Sequence, residues 1–246
     1  MTMRALGIAA LGLAISGCAA SAAPRPHEPT AEEWANARQL LADLRKSARR
    51  DPYVMRVIVA ITEPRSGKTV DGRGVVAVDP GRALRMILLG PGGVTALDAW
   101  VTPAAWRFAV PALEMVKRGG PSNEEARGLP VGFFRWWFLA PLDGDLLTAH
   151  GARGAGGFLL RRGASVAKVD YAFQGDRLEI VARRRQASDV ERLDWTCVTL
   201  ETHPGDRGVY VQEASGLRVQ IEVEAIGDEP PSPESFVDPD APGGVK

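Results

Sequence analysis

Apolar and polar residues alternate most regularly in the stretch G-L-R-V-Q-I-E-V-E-A-I, residues 216–226. The odd-numbered positions from 217 to 225 are apolar, and the even-numbered positions between them are charged or polar. Because successive side chains of a β-strand point to opposite faces, this pattern predicts a strand with one buried and one solvated face. Burial on one face only is typical of antiparallel sheets.

Ten other segments show shorter strand patterns, separated by turn residues such as Pro80-Gly81 and Thr102-Pro103. These segments are residues 53–61, 74–79, 83–89, 94–101, 104–110, 157–161, 165–173, 177–184, 191–201 and 208–213. Tight turns join antiparallel neighbours, whereas parallel strands need long crossover connections. We therefore predict about eleven antiparallel strands, with an irregular segment at residues 111–127.

Two helices are predicted, one before the strands and one between the fifth and the sixth strand. Thr30 and Glu33 form a capping box ahead of an apolar stripe with helical spacing, and Asp51-Pro52 ends this pattern. Pro130 then opens a second helix over residues 131–140. These elements place the chain in the α+β class, with mainly antiparallel β-structure.

The N-terminal residues have the features of an export signal. Arg4 precedes an apolar run at residues 5–15, which is too short to span a bilayer because a spanning helix needs roughly 20 apolar residues. The sequence I-S-G-C, residues 15–18, resembles the end of lipoprotein signal peptides. That resemblance implies cleavage between Gly17 and Cys18, and a diacylglycerol and an N-acyl chain such as palmitate on Cys18. The alternative is a plain secretory signal with an incidental cysteine.

Composition divides the chain into four parts. Residues 1–17 are the predicted signal peptide, and residues 18–29, which are mostly small or proline, are a predicted flexible tether. Residues 30–226 are long enough to form one sizeable domain. Residues 227–246 are acidic and rich in proline, which predicts a disordered tail.

Charge and the rarer residue types argue against several classes of function. Lys+Arg and Asp+Glu both number 30, so no net charge attracts nucleic acid. The histidines His27, His150 and His203 are scattered, so we predict neither a metal site nor a cofactor. Cys197 with His203 or His150 is the one candidate for a thiol nucleophile and its base. Since Cys197 lies inside a strand pattern and lacks a glycine motif of the oxyanion type nearby, we predict that the protein is not an enzyme.

Two segments give the sequence its resemblance to a known family. Residues 85–95, R-M-I-L-L-G-P-G-G-V-T, form an arginine-led strand pattern that runs into a proline-containing turn. Residues 129–141, L-P-V-G-F-F-R-W-W-F-L-A-P, have a proline, an arginine, a second tryptophan and a leucine at matching spacing. Over roughly residues 30–226, the chain resembles the periplasmic lipoprotein-sorting proteins LolA and especially LolB. The resemblance implies an incomplete curved β-barrel wrapped around lid helices, with an apolar interior that holds acyl chains without a cofactor.

The resemblance also suggests site residues. The acyl-chain cavity and its lid would be formed by Trp100, Trp106, Phe108, Phe133, Trp136, Trp137, Phe138 and Leu139. Arg85 and Arg135 would be polar anchors at the cavity mouth, where a buried arginine needs carbonyls or a carboxylate. The alternatives are that the aromatic residues simply pack the helix on the sheet, and that the arginines are solvated at the surface. Pro91, Gly92 and Gly93 form the predicted hairpin tip, where the membrane-anchored family member has a large aliphatic residue, so cargo insertion is less expected than lipid binding.

For an assumed Gram-negative bacterium, the resulting prediction is a lipid-anchored outer-membrane protein that faces the periplasm. Ala19 rather than Asp follows the cysteine, which resembles the outer-membrane lipoproteins of such bacteria. It would bind lipid acyl chains and take part in lipoprotein localisation and insertion. Its partners would be membrane lipids through Cys18, acylated lipoprotein cargo and a soluble periplasmic LolA-like carrier, and it would be a monomer. The alternative is an accessory or structural envelope lipoprotein with the same fold but without cargo transfer.

Overall fold

A single antiparallel sheet of 13 strands forms most of the structure. This computed structural model describes residues 28–241, apart from residues 63, 65, 123, 124, 153, 187 and 188. The predicted signal peptide, its cleavage site at Gly17 and Cys18, and residues 18–27 of the predicted tether lie outside the described residues. Among the described residues, no helix combines the length and the apolar character that crossing a membrane requires.

One long helix precedes the sheet, and short helical segments interrupt it. The long helix is α1 (Ala31–Ser47). The strands are β1 (Tyr53–Thr62), β2 (Thr69–Asp79), β3 (Ala83–Leu89), β4 (Thr95–Val101), β5 (Trp106–Val110), β6 (Met115–Gly119), β7 (Asp145–Ala152), β8 (Ala155–Arg162), β9 (Ser165–Gln174), β10 (Arg177–Gln186), β11 (Asp189–Cys197), β12 (Arg207–Gln212) and β13 (Leu217–Ile226). Between β6 and β7, α2 (Val131–Phe133) continues directly as a π-helical segment (Phe134–Leu139), and we call the two together the aromatic helix. Short 3₁₀ turns lie at Pro91–Gly93, Pro111–Leu113 and Pro233–Phe236.

The strand order explains why the barrel is incomplete. Neighbouring strands are antiparallel in the order β6-β5-β4-β3-β2-β1-β13-β12-β11-β10-β9-β8-β7. The chain therefore runs outward from β1 to β6, passes through the aromatic helix, and returns from β7 to β13, which pairs with β1. Because β6 and β7 are the two free edges, the curved sheet does not close on itself. This confirms the predicted fold class, a mainly antiparallel incomplete barrel around helices.

The sheet has two strands that the sequence pattern does not predict, β6 and β7. β6 lies inside residues 111–127, where the sequence predicts irregular structure, and its side chains are mostly exposed. β7 carries an irregularity between Leu146 and Thr148, which interrupts the two-residue period. Both are edge strands, and a mostly exposed or bulged edge strand shows little of the alternation that marks a strand in the sequence.

Helix α1 shares one contiguous core with the aromatic helix and one face of the sheet, which we call the concave face. The predicted capping box is confirmed: Glu33 N donates to Thr30 Oγ1 at 3.2 Å, and Thr30 N donates to Glu33 Oε2 at 2.8 Å. The buried face of α1, formed by Ala37, Leu41 and Leu44, packs near β7 and β8. The helix therefore covers the sheet beside its β7 edge.

The C-terminal segment, residues 227–241, packs on the opposite, outer face of the sheet. Asp238 accepts two hydrogen bonds from Arg118 of β6, at 2.7 and 3.1 Å, and Asp240 accepts two from Arg107 of β5, at 2.8 and 3.3 Å. Over residues 227–241 the structure thus differs from the predicted disordered tail, and residues 242–246 lie outside the described residues. The composition predicts disorder because this segment is rich in acidic residues. In the structure, these residues pair with arginines more than 100 positions away in the sequence, and composition contains no information about such pairs.

Candidate functional site

Five aromatic side chains of the aromatic helix cover the concave face of the sheet. Each of them is at most 6% exposed: Phe133, Phe134, Trp136, Trp137 and Phe138. Phe133 stacks on Tyr210 of β12 with ring centroids 5.1 Å apart, and Trp137 packs on Trp195 of β11 at 5.3 Å. The centre of the predicted acyl-chain cavity is therefore occupied by side chains of the protein itself.

The local sequence explains the shape of this helix. Pro130 stands at its start, where a missing backbone N–H costs little, and its carbonyl accepts a hydrogen bond from Phe134 N at 3.1 Å. From Phe134 to Leu139 the helix widens to π geometry, a rare form that is concentrated at functional sites. At Ala140 the backbone leaves the helical region, with φ −147° and ψ 66°, and Pro141 follows.

A cleft of about 370 Å³ opens beside the aromatic helix, and we call it the mouth cleft. The turns after β2 and β4, the segment after β6 and the aromatic helix form one side, and β8, β9 and β10 form the other. The lining residues are Gly81, Pro103, Pro121, Arg135, Trp136, Leu139, Ala140, Asp143, Leu160, Arg162, Ser165, Ala167, Arg184 and Gln186. The cleft thus lies where the two halves of the sheet face each other across the aromatic helix.

Arg135 ties the aromatic helix to the loops on one side of the mouth cleft. Its guanidinium donates to the carbonyl oxygens of Thr102 at 2.8 Å, Gly120 at 3.1 Å and Pro121 at 3.1 Å. Burial, and then the neighbouring Arg184, lowers the pKa of Arg135 to about 10. In the described part of the chain its hydrogen bonds go to carbonyls, so the positive charge has no carboxylate partner there.

A buried polar network holds the start of the aromatic helix. Arg184 of β10 donates through Nε to Glu191 Oε2 at 2.6 Å and through Nη2 to the Gly132 carbonyl at 3.2 Å. The Tyr210 hydroxyl donates to the other oxygen of Glu191 at 2.5 Å, and Glu191 is only 3% exposed. Burial and the adjacent Glu191 raise the pKa of Tyr210, so its hydroxyl remains a donor. The Arg184 guanidinium also lies 4.7 Å from the Trp136 ring centroid, within cation–π range.

The sequence analysis missed this network because its members lie on separate strands and the aromatic helix. One signal was available at Gly132. A glycine inside a helix costs about 1 kcal/mol relative to alanine, so its presence indicates a close approach by another group. In the structure, a Cβ atom at residue 132 would collide with the Glu191 carboxylate.

Trp100 lies on the outer face of the sheet, which corrects its predicted place in the cavity. It pairs in register with Arg107, the position between Trp106 and Phe108, and those two residues point into the core. Side chains alternate between faces along a strand, so Trp100 must point the other way. Its indole Nε1 donates to the carbonyl oxygen of Phe236 in the C-terminal segment at 2.9 Å.

Arg85 is also on the outer face, so its predicted place at the cavity mouth is wrong. It stands directly opposite Trp100 in the β3–β4 pair. Its guanidinium donates to both carboxylate oxygens of Asp98, each at 3.1 Å. Arg85 therefore has a carboxylate partner, as a partly buried arginine needs, but this ion pair lies away from the mouth cleft.

The other predicted cavity residues lie on the concave side. Trp106 and Phe108 are 2% and 1% exposed in the core, and Phe138 packs between Phe133 and Trp195. Trp136 and Leu139 line the mouth cleft. These positions fit both the wall of a lipid site and plain packing of the helix on the sheet.

The predicted hairpin tip is the 3₁₀ turn Pro91–Gly93 between β3 and β4, and it is exposed. Gly92 and Gly93 have φ values of 76° and 78°, which favour glycine at both positions. The flanking Leu89 and Val94 are 43% and 65% exposed. The tip therefore presents small residues, with one apolar side chain on each side of it.

Cys197 has the environment of a structural thiol. It is fully buried, and its Sγ donates to the Leu178 carbonyl at 3.7 Å. Burial, and then Asp206, raises the pKa of the thiol to about 12, which opposes formation of the thiolate nucleophile. Nor does the described part of the chain bring three potential metal-ligating His, Cys, Asp or Glu residues together.

Several solved structures are similar to this chain. A LolA superfamily protein from Nitrosomonas europaea has a TM-score of 0.45 at 11% identity, with 82% of this chain and 97% of that chain covered. A domain described as an outer membrane lipoprotein-sorting protein domain, from Vibrio parahaemolyticus, has a TM-score of 0.42 at 11% identity, with 84% and 97% covered. An uncharacterised conserved protein from Thermus thermophilus has a TM-score of 0.38 at 13% identity, with 83% and 96% covered.

No protein-family model matches the sequence, and no curated protein matches it either. The similarity at this distance concerns the fold. The LolB-like assignment made from the sequence therefore stays a prediction.

Proposed function

We propose that this protein is an outer-membrane lipoprotein, anchored through Cys18, that binds lipid acyl chains between its curved sheet and the aromatic helix. It would face the periplasm and take part in lipoprotein localisation. One observation carries the proposal: the concave face of an open sheet is covered by a short π-containing helix, and polar side-chain contacts tie that helix to the loops and strands around it. Such a helix can move aside without breaking the sheet.

Burial of an acyl chain would offset part of the cost of moving the aromatic helix. Each hydrogen bond to a charged group contributes about 1.5–3 kcal/mol, so a movement that keeps the three bonds of Arg135 avoids a cost of several kcal/mol. An acyl chain taken from water recovers about 0.8 kcal/mol for each buried methylene, or roughly 11 kcal/mol for 14 of them. That gain would act against the cost of displacing the aromatic rings.

Binding of this kind needs no covalent step and no cofactor. Transfer of a chain from a carrier to this protein requires only that the affinity for the chain differ between them. The partners that follow from the proposal are acylated lipoproteins as cargo and a soluble periplasmic LolA-like protein as the donor.

The second candidate is an accessory envelope lipoprotein that keeps the fold without transferring cargo. Two observations favour it: the aromatic rings that cover the concave face, and the small residues at the hairpin tip. A transfer assay separates the two functions. An acylated lipoprotein held by a LolA-like carrier should move to liposomes that bear this protein if it is a transfer protein, and should stay on the carrier if it is not.

Binding itself is tested with a fluorescent fatty acid and the mature chain carrying Cys18→Ser, which removes the acyl anchor. We expect binding that Trp137→Ala weakens, because Trp137 packs against Trp195 on the concave face. Trp100→Ala is the matched control, since Trp100 lies on the outer face and should leave binding unchanged. Absence of probe binding to folded wild-type protein would refute the proposed function.

A further inference from the structure

We infer that the mouth cleft selects amphiphiles with an anionic head group, which Arg135 would bind while the chain lies along the apolar wall. The inference rests on the proposed function and names the class of ligand that the same site would take. The shared chemistry is a carboxylate or phosphate oxygen next to a long apolar chain.

Among the described residues that line the mouth cleft, Arg135 is the cation without an ion-pair partner. Arg162 forms an ion pair with Asp143 at 2.9 Å. Arg184 is paired with the buried Glu191. Arg135 contacts carbonyl oxygens instead, so the described lining keeps one positive charge without a counter-ion.

The guanidinium of Arg135 still has donors to offer. Its three hydrogen bonds to carbonyls leave, within the described part of the chain, one N–H on each terminal nitrogen. A pair of such donors matches the two oxygens of a carboxylate or phosphate. Since burial makes this charge costly, a bound anion would stabilise it more than a neutral group would.

An apolar surface begins beside this cation. Leu139 and Leu160 line the mouth cleft and also belong to the buried core, at 4% and 1% exposure, and Trp136 and Ala167 continue the lining. A chain that enters at Arg135 would therefore run from the charged rim toward the interior. The volume of about 370 Å³ is at the lower end of small-molecule sites, and it suits a head group with the first part of its chain.

The test uses the mature chain with Cys18→Ser and two matched pairs of probes. The first pair is a pyrene-labelled fatty acid and its methyl ester, which share one chain and differ in charge. The second pair is lysophosphatidylglycerol, which is anionic, and lysophosphatidylcholine, which is zwitterionic. Affinities are measured near neutral pH and below the concentrations at which the probes form micelles.

We expect the anionic member of at least one pair to bind about tenfold more tightly, equivalent to ~1.4 kcal/mol. Arg135→Gln should bring that ratio close to one, and Arg135→Lys should retain part of it. Arg161→Gln is the matched control, because Arg161 is an exposed neighbour on β8 outside the lining and should leave the ratio unchanged. Preference within only one pair would identify the head group as carboxylate or phosphate.

Equal binding of the anionic and neutral members in both pairs would overturn this inference and leave the proposed function standing. A tenfold preference that survives in folded Arg135→Gln would also overturn it, by placing the anion elsewhere. Failure of all four probes to bind would refute the proposed function together with the inference. If Arg135→Gln does not fold, Arg135→Lys decides instead, since a ratio equal to that of the wild type would overturn the inference.

Discussion

The indole Nε1 of Trp100 donates to the carbonyl oxygen of Phe236 at 2.9 Å, and this contact fixes the C-terminal segment on the outer face of β4. Trp100 also belongs to a row of four residues on neighbouring strands, and the other three are arginines. Arg85, Trp100, Arg107 and Arg118 stand directly opposite one another on β3, β4, β5 and β6. Asp98 pairs with the first and third members of the row, and the C-terminal segment supplies carboxylates to the third and fourth.

The acidic residues of this segment should stabilise the protein at neutral pH and lose that effect in acid. Hydrogen bonds from Arg118 hold the pKa of Asp238 below its usual value, and those from Arg107 and then Arg118 do the same for Asp240. A carboxylate whose pKa is depressed by folding stabilises the fold above its unfolded pKa, and the effect is lost as pH falls through the folded pKa. The window therefore lies below about pH 4.

The measurement compares urea unfolding of the wild type with that of the Asp238→Asn, Asp240→Asn double variant. Because the carboxylates are partly exposed, we expect a loss of only about 0.5–1 kcal/mol near neutral pH. The difference should shrink between neutral pH and pH ~3, because protonation of the wild-type carboxylates begins in that range. Glu229→Gln, an exposed residue of the same segment, is the control. An equal loss at both pH values would show that charge is not the cause.

Gly132→Ala should destabilise the protein by about 1–3 kcal/mol, the usual cost of overpacking a filled core. The added methyl group would collide with the Glu191 carboxylate, which Tyr210 and Arg184 hold in place. Gly227→Ala is the matched control, since a Cβ there meets its nearest atom, in Val54, at an ordinary 3.5 Å. Chemical denaturation measures both variants, and equal stabilities would contradict the close packing at residue 132.

Arg135→Gln should loosen the aromatic helix more than it loosens the sheet. The substitution removes charged hydrogen bonds to three carbonyl groups that connect the helix to neighbouring loops. Native-state hydrogen exchange should show lower protection for amides of residues 131–139, while protection in the central strand β1 is retained. A uniform loss over β1 and the helix would indicate global destabilisation instead, and unchanged protection would mean that these bonds do not hold the helix.

Cys197 should be inert in the folded protein. Burial raises the pKa of its thiol to about 12, so little thiolate is present and access to it is blocked. In the Cys18→Ser chain, Cys197 is the one remaining thiol of the sequence. We expect it to react with a disulfide reagent at least ~100-fold more slowly than in urea. Rapid reaction of the folded chain would reopen the possibility of a nucleophilic cysteine.

Much of the sheet was predictable because burial on one face produces an alternation of apolar and polar residues within each strand. The pattern at residues 216–226 appears in the structure as β13, whose inward positions from Leu217 to Val223 are buried. The edge strand β6 was not predictable, since it is mostly exposed and lacks alternation. The capping box at Thr30 was predictable because it depends on residues only three positions apart.

The candidate site was predictable only in part. The aromatic cluster and Arg135 stand together in the sequence, and the structure places Arg135, Trp136 and Leu139 in one cleft. Glu191 and Tyr210 were not predicted as site residues. Their hydrogen bond joins β11 to β12, and no local sequence pattern indicates it. Trp100 was assigned to the cavity wall because its predicted strand is adjacent to that of Trp106 and Phe108, yet its strand position turns it outward.

The sequence by itself determined eleven of the 13 strands, where α1 begins, and that a helix rich in aromatic residues separates the two halves of the sheet. These features depend on residues within a few positions of one another, so local periodicity and capping specify them. Only the tertiary structure decided that the aromatic rings cover the concave face, that Arg135 meets three carbonyls, and that the acidic C-terminal residues pair with Arg107 and Arg118. Those contacts join residues that become neighbours only when the curved sheet brings distant strands and loops together around the helix.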